Sequence, residues 1–309
     1  VILATGEPIE LSTPRSSARI GTVAAVLRGL VVDGHDLVQP IPDDVAPPFG
    51  NGTVLVPWPN RVRDGRWTLD GAVQQLDITE PSRGNALHGL LAFTDYEVRE
   101  RSADAVTLGA LIPPQHGWPF TLDSWVRYEL LPDGLRVTHG AENLGDAVAP
   151  WAVGTHPFLR VGTTPVEELT LTAPAASYVD VDERLNPIGM HPVDGTPADL
   201  RGGPVVAGLD LDTAYGDIAH ADVRDGRGAS AWLTAPDGSR TVLRQDLGWH
   251  WLQVFTTREY PTPDGAITAI AIEPMTAPPD ALNSGEGLVR LAPGETWQGG
   301  WELRRETAA

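Results

Sequence analysis

A large antiparallel β-sandwich is the fold class that this sequence predicts, and three observations carry it. Its 33 glycines and 28 prolines are spread along all 309 residues, leaving few intervals in which a long helix runs uninterrupted. Between them lie runs of strand length that mix apolar with small or polar residues. Aspartate-glycine pairs, the signal of a tight reversal, join two pairs of these runs, in LPDGL (131–135) and PTPDGA (261–266).

Taken in chain order, IGTVAAVLRGLVV (20–32) reads as the first strand, followed by YEVRE (96–100), AVTLGALI (105–112) and SWVRYELL (124–131). LPDGL (131–135) turns the chain into GLRVTHGAEN (134–143). Residues 173–208 are the poorest in regular pattern. They read as long surface loops leaving one continuous sandwich, because the runs on either side share one character, so residues 1–309 are expected to form a single domain. WHWLQVFT (249–256), the PTPDGA turn (261–266) and AITAIAIE (266–273) follow, and LVRLAPGETWQGGWELRRE closes the chain as two strands around a proline-glycine turn.

Composition narrows the function. Hydrophobic residues make up 41% of the chain, enough for a substantial core, and cysteine is absent. That removes thiol catalysis, disulfides and cysteine-ligated metal centres, and fits a reducing compartment. The opening VILATGEPIELSTP lacks a basic leader, and no segment approaches the roughly 20 apolar residues of a spanning helix. A soluble, cytoplasmic protein with no membrane partner is expected. The formal charge of -19, from 41 acidic and 22 basic residues, argues against nucleic acid, which leaves a basic footprint. An uncharged small molecule fits better.

The eight histidines, at 35, 88, 116, 139, 156, 191, 220 and 250, form neither HxxxH nor HxH spacing, so no metal is expected. No GxxxxGK[ST] or GxGxxG opens a phosphate site, and no GxSxG marks an acyl-transfer serine. The expected chemistry therefore uses no cofactor. Four local patterns remain: VPWPNRV with Asn60 and Arg61, NALHGL with Asn85 and His88, GTHPFL with His156, and IAIEPMTAPPDALNSG with Glu273 at a strand end before proline. Proline fixes the backbone beside such groups, and catalytic side chains gain from rigid supports. Trp58, Trp249 and Trp251 offer flat apolar faces suited to a sugar or to core filling.

PNRV, NALHGL, GTHPFL, LDTAYGD and AIEP followed by PPDALN together resemble, in order and spacing, the aldose 1-epimerase or galactose mutarotase family, from about residue 15 to the C-terminus. The resemblance implies a galactose mutarotase-type β-sandwich (a supersandwich) and cofactor-free interconversion of α and β anomers of an aldose. It implies His156 as general acid at the ring oxygen and Glu273 as general base at O1. Arg61 and neighbouring Asn60, His88 and Asp212 correspond to sugar-binding positions, with Asp210 as an alternative to Asp212. A protonated imidazole is expected at the start of the reaction, favoured by a nearby carboxylate such as Asp212.

The chain departs from the galactose-active pattern at Met275, where glutamine is usual, and at Thr213, where histidine often follows the binding aspartate, so the sugar itself stays open. A hexose-6-phosphate 1-epimerase would need arginines such as Arg15, Arg28 and Arg61 to meet in space. A glycosidase would need a second marked carboxylate. A non-catalytic carbohydrate-binding or regulatory protein on the same fold is the alternative of a different class. The expected partner is a small-molecule sugar, and the expected assembly a monomer or homodimer.

Overall fold

Alternation of buried and exposed side chains builds the sheets. In Leu122–Leu131 every second residue is buried, and the strand pairs in register with Gly134–Asn143 through ten residue pairs. The computed structural model describes residues 3–307. Pro8–Ser12, Ser16–Gly21, Leu27–Val32 and His35–Asp36 form one antiparallel sheet in chain order. A nine-stranded sheet runs Glu97–Arg101, Ala105–Ile112, Leu122–Leu131, Gly134–Asn143, Thr296–Glu306, Arg240–Asp246, Arg227–Thr234 and Thr170–Thr172, with Ala221–Arg224 pairing to one side. A seven-stranded sheet runs Pro187–Pro192, Ala175–Val181, Asp212–Ile218, Trp251–Thr262, Gly265–Met275, Gly154–Thr155 and Val54–Leu55.

One buried apolar cluster draws on all three: Ile9 and Leu30 from the first sheet, Val126, Val137 and Trp301 from the second, and Leu252, Val254, Ile270 and Ile272 from the third. Because a strand turns alternate side chains to opposite faces, burying Leu252, Val254 and Ile272 in that core turns Gln253, Phe255 and Glu273 the other way. This parity places the candidate site on the far face of the seven-stranded sheet.

Two readings of the sequence need correction. The run 20–32 is two strands, Ser16–Gly21 and Leu27–Val32, separated by a turn in which Ala24 and Ala25 take positive φ of 56° and 47°. A small apolar residue reads as strand in a pattern, yet it tolerates a turn better than a branched one does. Residues 173–208 are not all loop, for Ala175–Val181 and Pro187–Pro192 pair as a hairpin on the edge of the seven-stranded sheet. The bounding prolines, which mask the strand in sequence, are tolerated there because an edge strand can lack a donor.

The segment carrying His88 docks onto the one carrying Asn60. His88 N–H donates to Asn60 O (2.9 Å) and Leu90 N–H to Val56 O (2.7 Å), and the Val56–Pro57 peptide is cis. Gly89 makes this approach possible: its φ is +78°, and a Cβ would lie 1.9 Å from Val56 O. Gly89→Ala is therefore expected to cost about 3 kcal/mol of unfolding free energy, read from urea denaturation.

Candidate active site

Glu273 and His156 meet at the floor of a cavity of about 360 Å³. Glu273 lies opposite Gln253 across the Trp251–Thr262 and Gly265–Met275 pair and is 1% exposed. His156 follows Gly154–Thr155, the short strand inserted between Gly265–Met275 and Val54–Leu55. Its backbone is pinned on both sides: His156 N–H donates to Thr53 O (3.1 Å) and Gly52 N–H to His156 O (2.8 Å). Its ring stacks on Phe158, with centroids 5.5 Å apart. So held, His156 Nε2 stands 3.3 Å from Glu273 Oε1. His156 Nδ1 and Glu273 Oε2 are buried with no hydrogen-bond partner among the described residues, which sets this pair apart from the usual buried polar group.

Asn60, Arg61, His88 and Asp212 line the same cavity. Asn60 and His88 both sit at positive φ, 57° and 62°. Asn60 N–H donates to His88 Nδ1 (3.2 Å), so the ring's proton lies on Nε2. Asn60 Nδ2 donates to Gln253 Oε1 (3.1 Å), and Gln253 Nε2 donates to Asp212 Oδ1 (2.6 Å). Arg61 makes a bidentate pair with buried Glu80, at 2.9 and 3.0 Å, and its Nη2 lies 3.8 Å from Asp212 Oδ2. Asp210 is exposed and does not line the cavity.

The remaining sequence candidates lie elsewhere. Arg15 pairs with Asp33 at the surface and Arg28 is buried against Asp43, so neither joins Arg61, whereas Arg83 does line the cavity. Trp249 and Trp251 line a separate cavity with Trp297. Met275 packs with Val179, Ala214 and Trp251 in a small apolar cluster. Asn85 supports the walls, donating to Arg184 O (3.0 Å) while its Oδ1 accepts from the Asp64 N–H (3.3 Å).

Sequence reasoning missed Gln253 and Glu80. Gln253 carries a legible signal, being polar between two core residues on the strand that pairs with Glu273. Glu80, in an irregular loop, carries none.

Burial governs protonation. It pushes the Glu273 carboxyl well above its usual range, reinforced by the Asp212 charge and opposed by Arg61. It lowers His156 to about 4, with Arg61 acting in the same sense. It also takes His88 well below the usual imidazole range, with His156 and Arg61 adding to the effect. Burial therefore works against the protonated imidazole that was expected at His156. The carboxylate beside His156 is Glu273, and desolvation favours a neutral acid beside a neutral imidazole.

Residues 7–304 match the sequence model of the aldose 1-epimerase family. This chain belongs to that family. It is 34% identical over 296 residues to the uncharacterized protein YihR of Escherichia coli strain K12, covering 94% of this chain and 91% of that one. Among solved structures, a galactose mutarotase-like protein from Clostridium acetobutylicum superposes with a TM-score of 0.85 at 19% identity, covering 100% of this chain and 98% of that one. The GalM/aldose epimerase homologue from C. elegans gives 0.83 at 19% identity, covering 98% and 99% respectively. The fold of this aldose 1-epimerase family member is thus the mainly β, antiparallel sandwich of the galactose mutarotase type. Among its described residues no group of three or more histidine, cysteine, aspartate or glutamate side chains is arranged to hold a metal ion.

Below the site, His139 Nε2 accepts from Trp301 Nε1 (3.2 Å) and lies 3.2 Å from Thr155 Oγ1. Burial lowers its pKa to about 3. An unfolded histidine binds a proton below about 6.5, so stability is lost as pH falls from there toward the folded value. Unfolding free energy should drop between about pH 6.5 and pH 4, and His139→Leu should reduce that slope by up to about 1.4 kcal/mol per pH unit, measured by urea denaturation across the pH series.

Proposed function

We propose that this protein interconverts the α and β anomers of a free aldose, with Glu273 and His156 exchanging protons with O1 and the ring oxygen O5. The observation that carries the reading is the buried 3.3 Å contact between the two groups, each with a second polar atom that has no partner among the described residues. O1 and O5 are bonded to the same carbon. Two proton-transfer groups this close can serve both oxygens within one hydrogen-bond length.

The pair carries one mobile proton. In the resting site burial keeps it on Glu273, and transfer to His156 across the contact prepares carboxylate and imidazolium. Glu273 then takes the O1 proton as the C1–O5 bond breaks, and O5 receives the proton of His156. The products are an open-chain aldehyde, neutral His156 and protonated Glu273, the pair state that desolvation favours. Rotation about C1–C2 presents the other carbonyl face, and closure reverses each transfer. Arg61, Asn60, His88 and Asp212 hold the hydroxyls, so that the open chain stays oriented for reclosure. The reading takes the whole chain as one catalytic domain acting without a cofactor. No helix of the described residues is long and apolar enough to cross a membrane.

Exchange spectroscopy by NMR on a panel of aldoses and hexose 6-phosphates tests the proposal and ranks the sugars. Glu273→Gln and His156→Asn should each lower kcat by about 10² to 10⁴-fold while circular dichroism shows an unchanged fold. A folded protein that binds sugars without accelerating exchange would instead be a carbohydrate-binding protein.

The pair also predicts a bell-shaped pH profile for kcat/KM. Activity should fall as pH drops through about 4, where His156 gains a second proton for the pair and no base remains. It should fall again on the alkaline side of the raised Glu273 pKa, where no proton remains to reach O5. The acid limb is the diagnostic one, lying below the ordinary imidazole range.

A further inference from the structure

Phe49 is a bulky aromatic residue held where aromatics rarely sit. Its φ of 52° and ψ of 27° are left-handed, a conformation that strains a bulky side chain and persists where the surroundings impose it. The surroundings are Pro47 and Pro48 before it and a turn closed by Gly50 N–H to Pro47 O (3.2 Å) and Asn51 N–H to Pro48 O (2.9 Å). Asn51 anchors that turn by donating to Tyr260 Oη (2.8 Å) and Gln39 O (3.0 Å) and accepting from Phe158 N–H (3.2 Å). The rigid turn does not serve to bury the ring, which is 45% exposed.

The ring instead rests on an aromatic bed: its centroid lies 5.8 Å from Phe255, 6.3 Å from Tyr260 and 6.4 Å from Phe158. Phe158 also stacks with the His156 imidazole. Phe49 and Phe255 line the cavity that holds Glu273 and His156. Of the non-glycine residues at positive φ, Phe49, Asn60 and His88 all line this cavity. Hydrogen-bonding side chains make up most of the rest of the lining, and Phe49 and Phe255, with Leu87, supply its apolar wall.

We propose that Phe49 is a substrate-binding residue, a platform that covers the C–H face of a pyranose while Asn60, Arg61, His88 and Asp212 take its hydroxyls. A pyranose has an apolar face and a polar rim, and a preorganised ring covers the former without immobilising a side chain at the moment of binding. The stored backbone strain has its use here. This inference rests on the sugar-site reading above and adds the face by which the ring is held.

Phe49→Gly tests it sharply, because glycine accepts positive φ. The variant should keep or gain stability against urea yet raise KM about five- to tenfold, with kcat changing by less than about twofold. Phe49→Tyr and Phe49→Trp should retain KM near that of the natural protein. Saturation-transfer NMR with free aldoses should show transfer from aromatic protons concentrated on the C–H groups of one ring face, and this should weaken in Phe49→Gly. Natural protein that exchanges anomers, with Phe49→Gly unchanged in KM and in the transfer pattern, would overturn the platform and leave the epimerase reading standing. Natural protein that neither binds nor exchanges any aldose would overturn both.

Discussion

Placing a carboxyl group and an imidazole in contact inside a protein requires something else to hold them there, because their own attraction as ions is opposed by the loss of water around both. At Glu273 and His156 the holding is done by the sheet. Glu273 belongs to a long strand whose alternate residues, Ile270 and Ile272, are locked in the core, so its direction is set by core packing. His156 directly follows the two-residue strand Gly154–Thr155, with its amide and carbonyl both bonded to the 52–53 backbone. The result is a pair fixed by backbone and by hydrophobic burial, with no salt bridge needed to assemble it. Desolvation favours two neutral partners here, a state that suits the proposed reaction, which moves a proton in each direction and leaves no net charge behind.

Around the pair, polar groups are tied to one another. Gln253 joins Asn60 to Asp212, and Glu80 accepts from Arg61, Arg83 and Asn85. Removing one partner from such a buried network leaves the other unsatisfied, which is costlier than the bond itself is stabilising. The network therefore fixes orientation more than it adds stability. Its members come from distant parts of the chain, residues 60–61, 80–88, 212 and 253, so the cavity walls form only when the sandwich is assembled.

Much of this was legible in sequence, for reasons that differ by residue. The antiparallel β character followed from punctuation and period-two patterning, as Leu122–Leu131 shows most clearly. His156 and Glu273 stood out because each precedes a proline beside a run that reads as a strand. The turn at Ala24–Ala25 was hidden because alanine carries no turn signal of its own. The hairpin Ala175–Pro192 was hidden because an edge strand tolerates the prolines that rule out a central one. Glu80 could not be found, since its role depends on meeting Arg61, nineteen residues away, across an irregular loop. Nor is the effect of burial on His156 legible in a pattern, which shows which carboxylates exist but not how far each group is desolvated.

The proton shared by Glu273 and His156 is central to the proposed reaction, and ¹⁵N NMR of the His156 imidazole, titrated across pH in the protein without sugar, reads its position directly. A neutral ring at pH 7 that takes up its proton only near pH 4 is the predicted result. An imidazolium already present at pH 7, titrating above the ordinary imidazole range, would contradict the shared-proton account of the pair.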